Sequence, residues 1–155
     1  MKIGLKINSV VIALFFIHFG TSANASLDLK QIYFPEGRPS ENESLHDIDQ
    51  ILGPEEQRTL KDLLQALKAS PWLGAKVTGY ADKHECEKSQ CTELSLRRAK
   101  IVFDWFRTHG LPEAQLEGPI GESTDFPLYD GNTEEERQLN RRVYLSAYTV
   151  PQRSP

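Results

Sequence analysis

The run VTGYADKHECEKSQCTELSLRRAKIVFDWF, from Val77 to Phe106, decides how this chain folds. It reads as a short strand from Ala75 to Tyr80, a polar loop holding both cysteines, and a helix from about Thr92 to His109. At about 100° per residue, Leu94, Arg98, Ile101, Val102, Trp105 and Phe106 share one broad arc of that helix, while Arg97, Lys100 and Asp104 lie on the other side. Arg98 therefore sits inside the apolar stripe. A guanidinium keeps its proton, and burying it without an opposite charge costs several kcal/mol. The nearest acid to the strand's end is Asp82. Either Arg98 pairs with Asp82 permanently, or it snorkels to water, or the two residues flank a cleft and hold a ligand that carries both charges.

Outward from this run, the helix stops at Gly110 with Pro112 beyond it. Trp105 and Phe106 have the spacing of core residues rather than of an aromatic binding surface. Ala114 to Glu117 reads as a short strand that Gly118-Pro119 ends. After an irregular connection through Gly131, Thr133 and Glu136 have the spacing of a capping box that opens a short helix. A last strand follows, in which Val143, Leu145 and Ala147 alternate with Tyr144, Ser146 and Tyr148. Upstream, Pro54 opens a helix at its favoured first position, with Glu55 and Glu56 beside the positive end of the dipole. Leu60, Leu63, Leu64 and Leu67 form its buried face, and Pro71 ends it. Lys30 to Phe34 reads as a first strand, and Pro35 to Asp49 as a loop. Gly79, at the end of its strand, lets another backbone or a ligand come close. The order strand, helix, strand, helix, strand, short helix, strand gives an α/β (α+β) sandwich, with a mixed sheet and helices packed on one side.

Four blocks then stand in order: Gly79-Tyr80-Ala81-Asp82, Leu94-Ser95-Leu96-Arg97-Arg98-Ala99, Gly118-Pro119-Ile120-Gly121-Glu122 and Asn140-Arg141-Arg142-Val143. Together they resemble the peptidoglycan-binding domain family of the OmpA C-terminal, Pal and MotB type. Its pattern runs Gly-His-Thr-Asp, Asn-x-x-Leu-Ser-x-x-Arg-Ala, Gly-x-Gly-Glu and Asn-Arg-Arg-Val. The resemblance covers about Ile32 to Tyr148 and implies the same sandwich fold. Tyr80 and Ala81 depart from the family's His-Thr, and Cys91 stands where the family usually has Asn.

The chain has 155 residues and a formal charge of -4. Lys2 and Lys6, an apolar run from Ser9 to Gly20 broken only by His18, and Ala23-Asn24-Ala25 predict a secretory signal peptide over 1–25, cleaved before Ser26. Its apolar run is too short for the ~20 residues that cross a bilayer. The expected organisation is thus 26–53 for the first strand and variable loop, 54–150 for the remainder of one domain, and 151–155 for a tail. The mature chain is then expected to be soluble and periplasmic, with no membrane span and no lipid-bearing cysteine at its start. Without Lys2 and Lys6 the acidic excess grows, which argues against nucleic acid as a partner. Cys86 and Cys91 are close enough in sequence to form a disulfide in an oxidising compartment, worth only about 2 kcal/mol for so small a loop. Asp82, His84, Glu85, Cys86 and Cys91 also have the ligand types of a metal site, but no second Cys or His pair stands at zinc-finger distance, and no metal or other cofactor is expected.

The resemblance implies non-catalytic binding of peptidoglycan at the diaminopimelate centre of an uncrosslinked stem peptide, in a structural or anchoring role in the cell envelope. That centre carries an ammonium and a carboxylate on one carbon. Asp82 would take the ammonium, and Arg98 would grip the carboxylate with two parallel hydrogen bonds. Arg141, in the Asn-Arg-Arg block, is the third candidate; its alternative is a pairing with an acid of the last helix. Charge-assisted hydrogen bonds of about 1.5 to 3 kcal/mol each predict modest affinity per site, with retention through rebinding along the wall or through a homodimer. His84, His109 and Ser95 compose no catalytic constellation. The competing reading is a degenerate adaptor that works through protein contacts in an envelope, secretion or motility assembly, for which Tyr80, Ala81 and Cys91 are the argument.

Overall fold

The computed structural model describes residues 29–151. The expected signal segment and most of the expected tail lie outside the described residues. Four strands form one mixed sheet: β1 (Ile32–Tyr33), β2 (Leu73–Gly79), β3 (Leu116–Gly121) and β4 (Arg142–Thr149), in the order β1-β4-β2-β3. β2 is antiparallel to β4, with Val77 opposite Leu145 and Gly79 opposite Val143. It is parallel to β3, the pairing that a helical crossover produces. The helices are α1 (Ile48–Ile51), α2 (Pro54–Ala69), α3 (Lys88–Thr108) and α4 (Glu134–Asn140).

The core lies where the inward residues of the sheet meet α2 and α3. Ile32, Ala75, Val77, Val143 and Leu145 pack with Leu60, Leu63 and Leu67 of α2 and with Val102, Trp105 and Phe106 of α3, all buried. On the other face Lys76 and Tyr144 are exposed, so the helices cover one side of the sheet as expected. Full burial of each large aliphatic or aromatic side chain is worth about 1.5–3 kcal/mol, so this layer is the main source of cohesion.

Two glycines set how closely α3 approaches. A Cβ on Gly79 would stand 2.0 Å from the carbonyl oxygen of Ser95, and one on Gly121 would stand 2.7 Å from the backbone nitrogen of Leu96. The close approach expected at Gly79 is thus made by helix backbone. It fixes Ser95, and with it Arg98 almost one turn further on, against the ends of β2 and β3.

Several boundaries differ from the sequence reading. α3 starts at Lys88 after the extended Glu87, so Cys91 belongs to the helix rather than to the loop. β3 runs through Pro119 to Gly121: Gly118 adopts φ +106°, and the strand continues across a cis Gly118–Pro119 bond instead of ending there. The residues before it make a 3-10 turn, Glu113–Gln115. Its buried Gln115 donates from Nε2 to the carbonyls of Leu67 (2.8 Å) and Leu73 (2.6 Å), closing the end of α2 onto the start of β2. A 3-10 turn at Leu45–Asp47 and α1 replace the end of the expected loop, because Leu45, Ile48 and Ile51 pack against the core. The capping box at α4 is present in altered form. Thr133 Oγ1 accepts from the Glu136 N–H, while the Glu136 carboxylate accepts from the N–H of Asn132, one residue earlier than the motif requires.

Candidate functional site

The arc read on α3 is buried in full: Leu94, Arg98, Ile101, Val102, Trp105 and Phe106 all face inward. Arg98 is 0% exposed, and its charge is met by Glu85 rather than by Asp82. Nη1 donates to Glu85 Oε1 at 2.6 Å and Nη2 to Oε2 at 2.8 Å, the parallel fork that guanidinium and carboxylate prefer. Nε donates to the carbonyl of Arg38 (2.8 Å), Nη1 also to that of Tyr80 (3.0 Å), and Nη2 also to that of Pro35 (3.2 Å). All five N–H donors of the guanidinium are engaged. Burial pulls the Arg98 pKa down, opposed by Glu85.

Of the alternatives drawn for Arg98, the permanent pair with Asp82 is thus replaced by a pair with Glu85. Glu85 belongs to the loop between β2 and α3, and its carboxylate fills the position facing Arg98. The same carboxylate accepts the N–H of Asp82 on Oε1 (2.8 Å) and the N–H of Gly37 on Oε2 (2.8 Å). Two backbone amides and a guanidinium fork thus enclose one carboxylate, whose side chain is 1% exposed. Sequence reasoning assigned Glu85 only to a metal cluster. The available signal was an acid next to the disulfide loop, but Asp82, Glu85 and Glu87 all lie within reach of an arginine whose helix start was misplaced.

Asp82 looks the other way. Its Oδ1 accepts the His84 N–H and lies 2.9 Å from His84 Nδ1, and its Oδ2 accepts from Asn140 Nδ2 at 3.0 Å. Burial pushes this carboxyl up, but the bonds from Asn140 and His84 outweigh it and hold the pKa below the ordinary carboxylate value. No lysine or arginine pairs with Asp82 among the described residues. Beside it lies a cavity of about 120 Å³, lined by Ala81, Asp82, Lys83, Thr124, Pro127, Tyr129, Asp130 and Asn140. Asn140 couples this wall to the following loop, because its Oδ1 accepts the N–H of Leu128 and its Nδ2 donates to the carbonyl of Tyr129.

Arg141 is buried and turned to a different place. It donates to Glu134 of α4 at 2.5 Å and to the carbonyl of Phe34 at 3.3 Å, which is the alternative pairing stated above. It borders a second depression of about 370 Å³ together with Tyr33, Phe34, Glu36, Glu56 and Gln138. The neighbouring Arg142 lies 4.1 Å above the ring of Tyr80 and donates once, to the carbonyl of Phe126. Cys86 and Cys91 are joined in a disulfide with Cα atoms 5.2 Å apart, so neither supplies a thiolate to a metal.

Residues 47–141 match the sequence profile of the OmpA family. The chain belongs to the OmpA family. Among its relatives, the outer-membrane lipoprotein YfiB of Pseudomonas aeruginosa is 32% identical over 94 residues, covering 61% of this chain and 55% of that protein. This chain thus spans little more than half of the curated relative it matches. Among solved structures, the peptidoglycan-associated lipoprotein of Burkholderia pseudomallei superposes with TM-score 0.63 at 22% identity, over 83% of this chain and 98% of that one. The periplasmic domain of Helicobacter pylori MotB gives TM-score 0.54 at 19% identity, over 64% and 71%. The cell wall anchor of the T6SS from P. aeruginosa gives 0.53 at 23%, over 64% and 70%. These likenesses show that this member of the OmpA family shares their fold.

Within that family pattern the departures have local causes. Ala81 and Cys91 are buried against Leu94 in a small apolar cluster, with Cys86 packed on it. Tyr80 supplies the ring beneath Arg142. Ser95 Oγ donates to the carbonyl of Thr92 and accepts the N–H of Ser123, which ties α3 to the end of β3.

Proposed function

We propose that this OmpA-family chain is a non-catalytic peptidoglycan-binding domain of the periplasm. Its site takes the diaminopimelate centre of the stem peptide. The observation that carries this reading is the carboxylate cradle made by Arg98 and the amides of Gly37 and Asp82, next to a buried Asp82 that has no lysine or arginine partner. A group with an ammonium and a carboxylate on one carbon satisfies both halves. Its carboxylate would sit where the Glu85 carboxylate sits, and its ammonium would turn toward Asp82 and the adjoining cavity. The solved neighbours support an anchoring role, since they include a peptidoglycan-associated lipoprotein and a cell wall anchor.

The test is cosedimentation of the purified protein with sacculi of the diaminopimelate type. The wild type is expected in the pellet and Asp82→Asn, which keeps the shape and removes the charge, in the supernatant. Equal sedimentation of the two would contradict the site.

A second reading, an adaptor working through protein contacts, draws on one observation. Phe126, Leu128 and Tyr129 stand 60%, 46% and 49% exposed on the loop that Asn140 holds beside Asp82. Under that reading neither protein sediments with sacculi.

A further inference from the structure

The Glu85 carboxylate has the surroundings of a bound ligand. Each of its oxygens receives two donors: Oε1 the N–H of Asp82 and Nη1 of Arg98, Oε2 the N–H of Gly37 and Nη2 of Arg98. With three further carbonyls on Arg98, no guanidinium donor is left for a second carboxylate. Yet the residue that supplies this carboxylate lies on a surface loop. Lys83, His84 and Glu87 around it are exposed, and its own backbone makes one turn bond, Glu85 N–H to the carbonyl of Asp82 at 3.3 Å. Apart from Glu85's own bonds to Arg98, the loop is joined to α3 covalently by the Cys86–Cys91 disulfide immediately after Glu85.

We propose that Glu85 is a tethered competitor for the ligand's carboxylate, so that the wall can be gripped only after residues 83–85 swing Glu85 out of the Arg98 cradle. The inference rests on the peptidoglycan reading above. It follows from where the cradle is: the Asp82 amide that holds Glu85 belongs to the residue whose side chain would take the ammonium, so one zwitterion cannot engage both charges while Glu85 is in place. A short tether presents its carboxylate at an effective concentration on the order of millimolar, which a free ligand must outcompete. The disulfide limits the excursion, because Cys86 remains fixed to α3 and the loop can open only on its Asp82 side. The apparent affinity for the wall is the intrinsic affinity reduced by the fraction of molecules with the cradle open.

The test measures free meso-diaminopimelate binding by calorimetry, and sacculus cosedimentation, for the wild type, Glu85→Ala and Glu85→Gln. Glu85→Ala leaves Arg98 without its acid, so its thermal midpoint is followed in acetate and in chloride. The expected result is that acetate raises the midpoint of Glu85→Ala and leaves the wild type unmoved, as a small carboxylate enters the vacated cradle. Both variants are expected to bind meso-diaminopimelate at least about tenfold more tightly than the wild type. Glu85→Gln keeps the side-chain volume and serves if the alanine variant does not fold. Equal affinity of wild type and variants, each abolished by adding Asp82→Asn, overturns the competitor and leaves wall binding standing. Absence of binding by the wild type and both variants overturns the wall-binding reading and the competitor with it.

Discussion

Arg98 and Arg142 are both buried guanidiniums, and the fold meets their desolvation in opposite ways. Arg98 has a carboxylate in fork geometry and partners for all five donors. Arg142 has no acid among the described residues: it lies on the ring of Tyr80, donates to one carbonyl, and keeps Nε and Nη1 without a partner there. Burial pulls the pKa of each down; Glu85 opposes this at Arg98, and the nearby Tyr80 and Tyr33 oppose it at Arg142. The lesson is that burying a cation does not by itself mark a ligand site. What marks the Arg98 region is a preformed seat for one carboxylate beside a second buried acid, Asp82, which is held by Asn140 and His84 and has no lysine or arginine partner among the described residues.

The contrast can be broken first at Arg98. Arg98→Ala leaves Glu85 as an uncompensated buried charge and is expected to cost about 3–5 kcal/mol in denaturant unfolding, whereas Arg98→Leu with Glu85→Leu should recover most of that loss. A double variant as unstable as the single one would mean that the ion pair is not what the single substitution disrupts. The tether is the next test. Replacing Cys86 and Cys91 by serine is expected to cost about 2 kcal/mol and to speed amide exchange around Glu85 while leaving the Arg142 region unchanged. Exchange that rises equally in both regions would deny the disulfide a local role.

At Arg142 the expected effect is smaller. Arg142→Met loses a cation–π contact and a hydrogen bond but also removes a poorly satisfied buried charge, so stability should change by no more than about 1 kcal/mol. A loss as large as that of Arg98→Ala would show that the two cations are energetically alike. The smallest effect belongs to Asp82 and is confined to acid. Its folded pKa is held below the unfolded one, so its contribution is present above the ordinary aspartate value of ~3.9 and is lost as pH falls through the lower, folded value. Asp82→Asn should therefore flatten the acid limb of the stability curve, and an unchanged limb would contradict the shift.

Much of this was legible in the sequence. The arc on α3, with Arg98 inside it, follows from periodicity, and the alternation in β4 follows from period two. What the sequence hid has specific causes. Glu85 could not be chosen over Asp82 because the partner of a buried arginine depends on the path of a loop, and no periodic pattern constrains that path. The start of α3 was placed late because Glu87 makes no side-chain cap, which removed the usual marker and left Cys91 outside the helix. The Pro35–Pro39 segment reads as a polar loop, yet the carbonyls of Pro35 and Arg38 complete the shell of Arg98 and the amide of Gly37 holds Glu85. Backbone groups carry no sequence signature. Arg141 stood in the right block, but the burial of its side chain toward Glu134 is decided by the turn after α4.

The most direct test of the account is an NMR titration of the protein with meso-diaminopimelate, following the Arg98 Nε–H resonance and the Glu85 side-chain carboxyl carbon together. The account predicts that both move along one saturation curve, the Glu85 carbon toward its solvent-exposed position as the ligand takes its place. Saturation of the protein with both signals unmoved would contradict it.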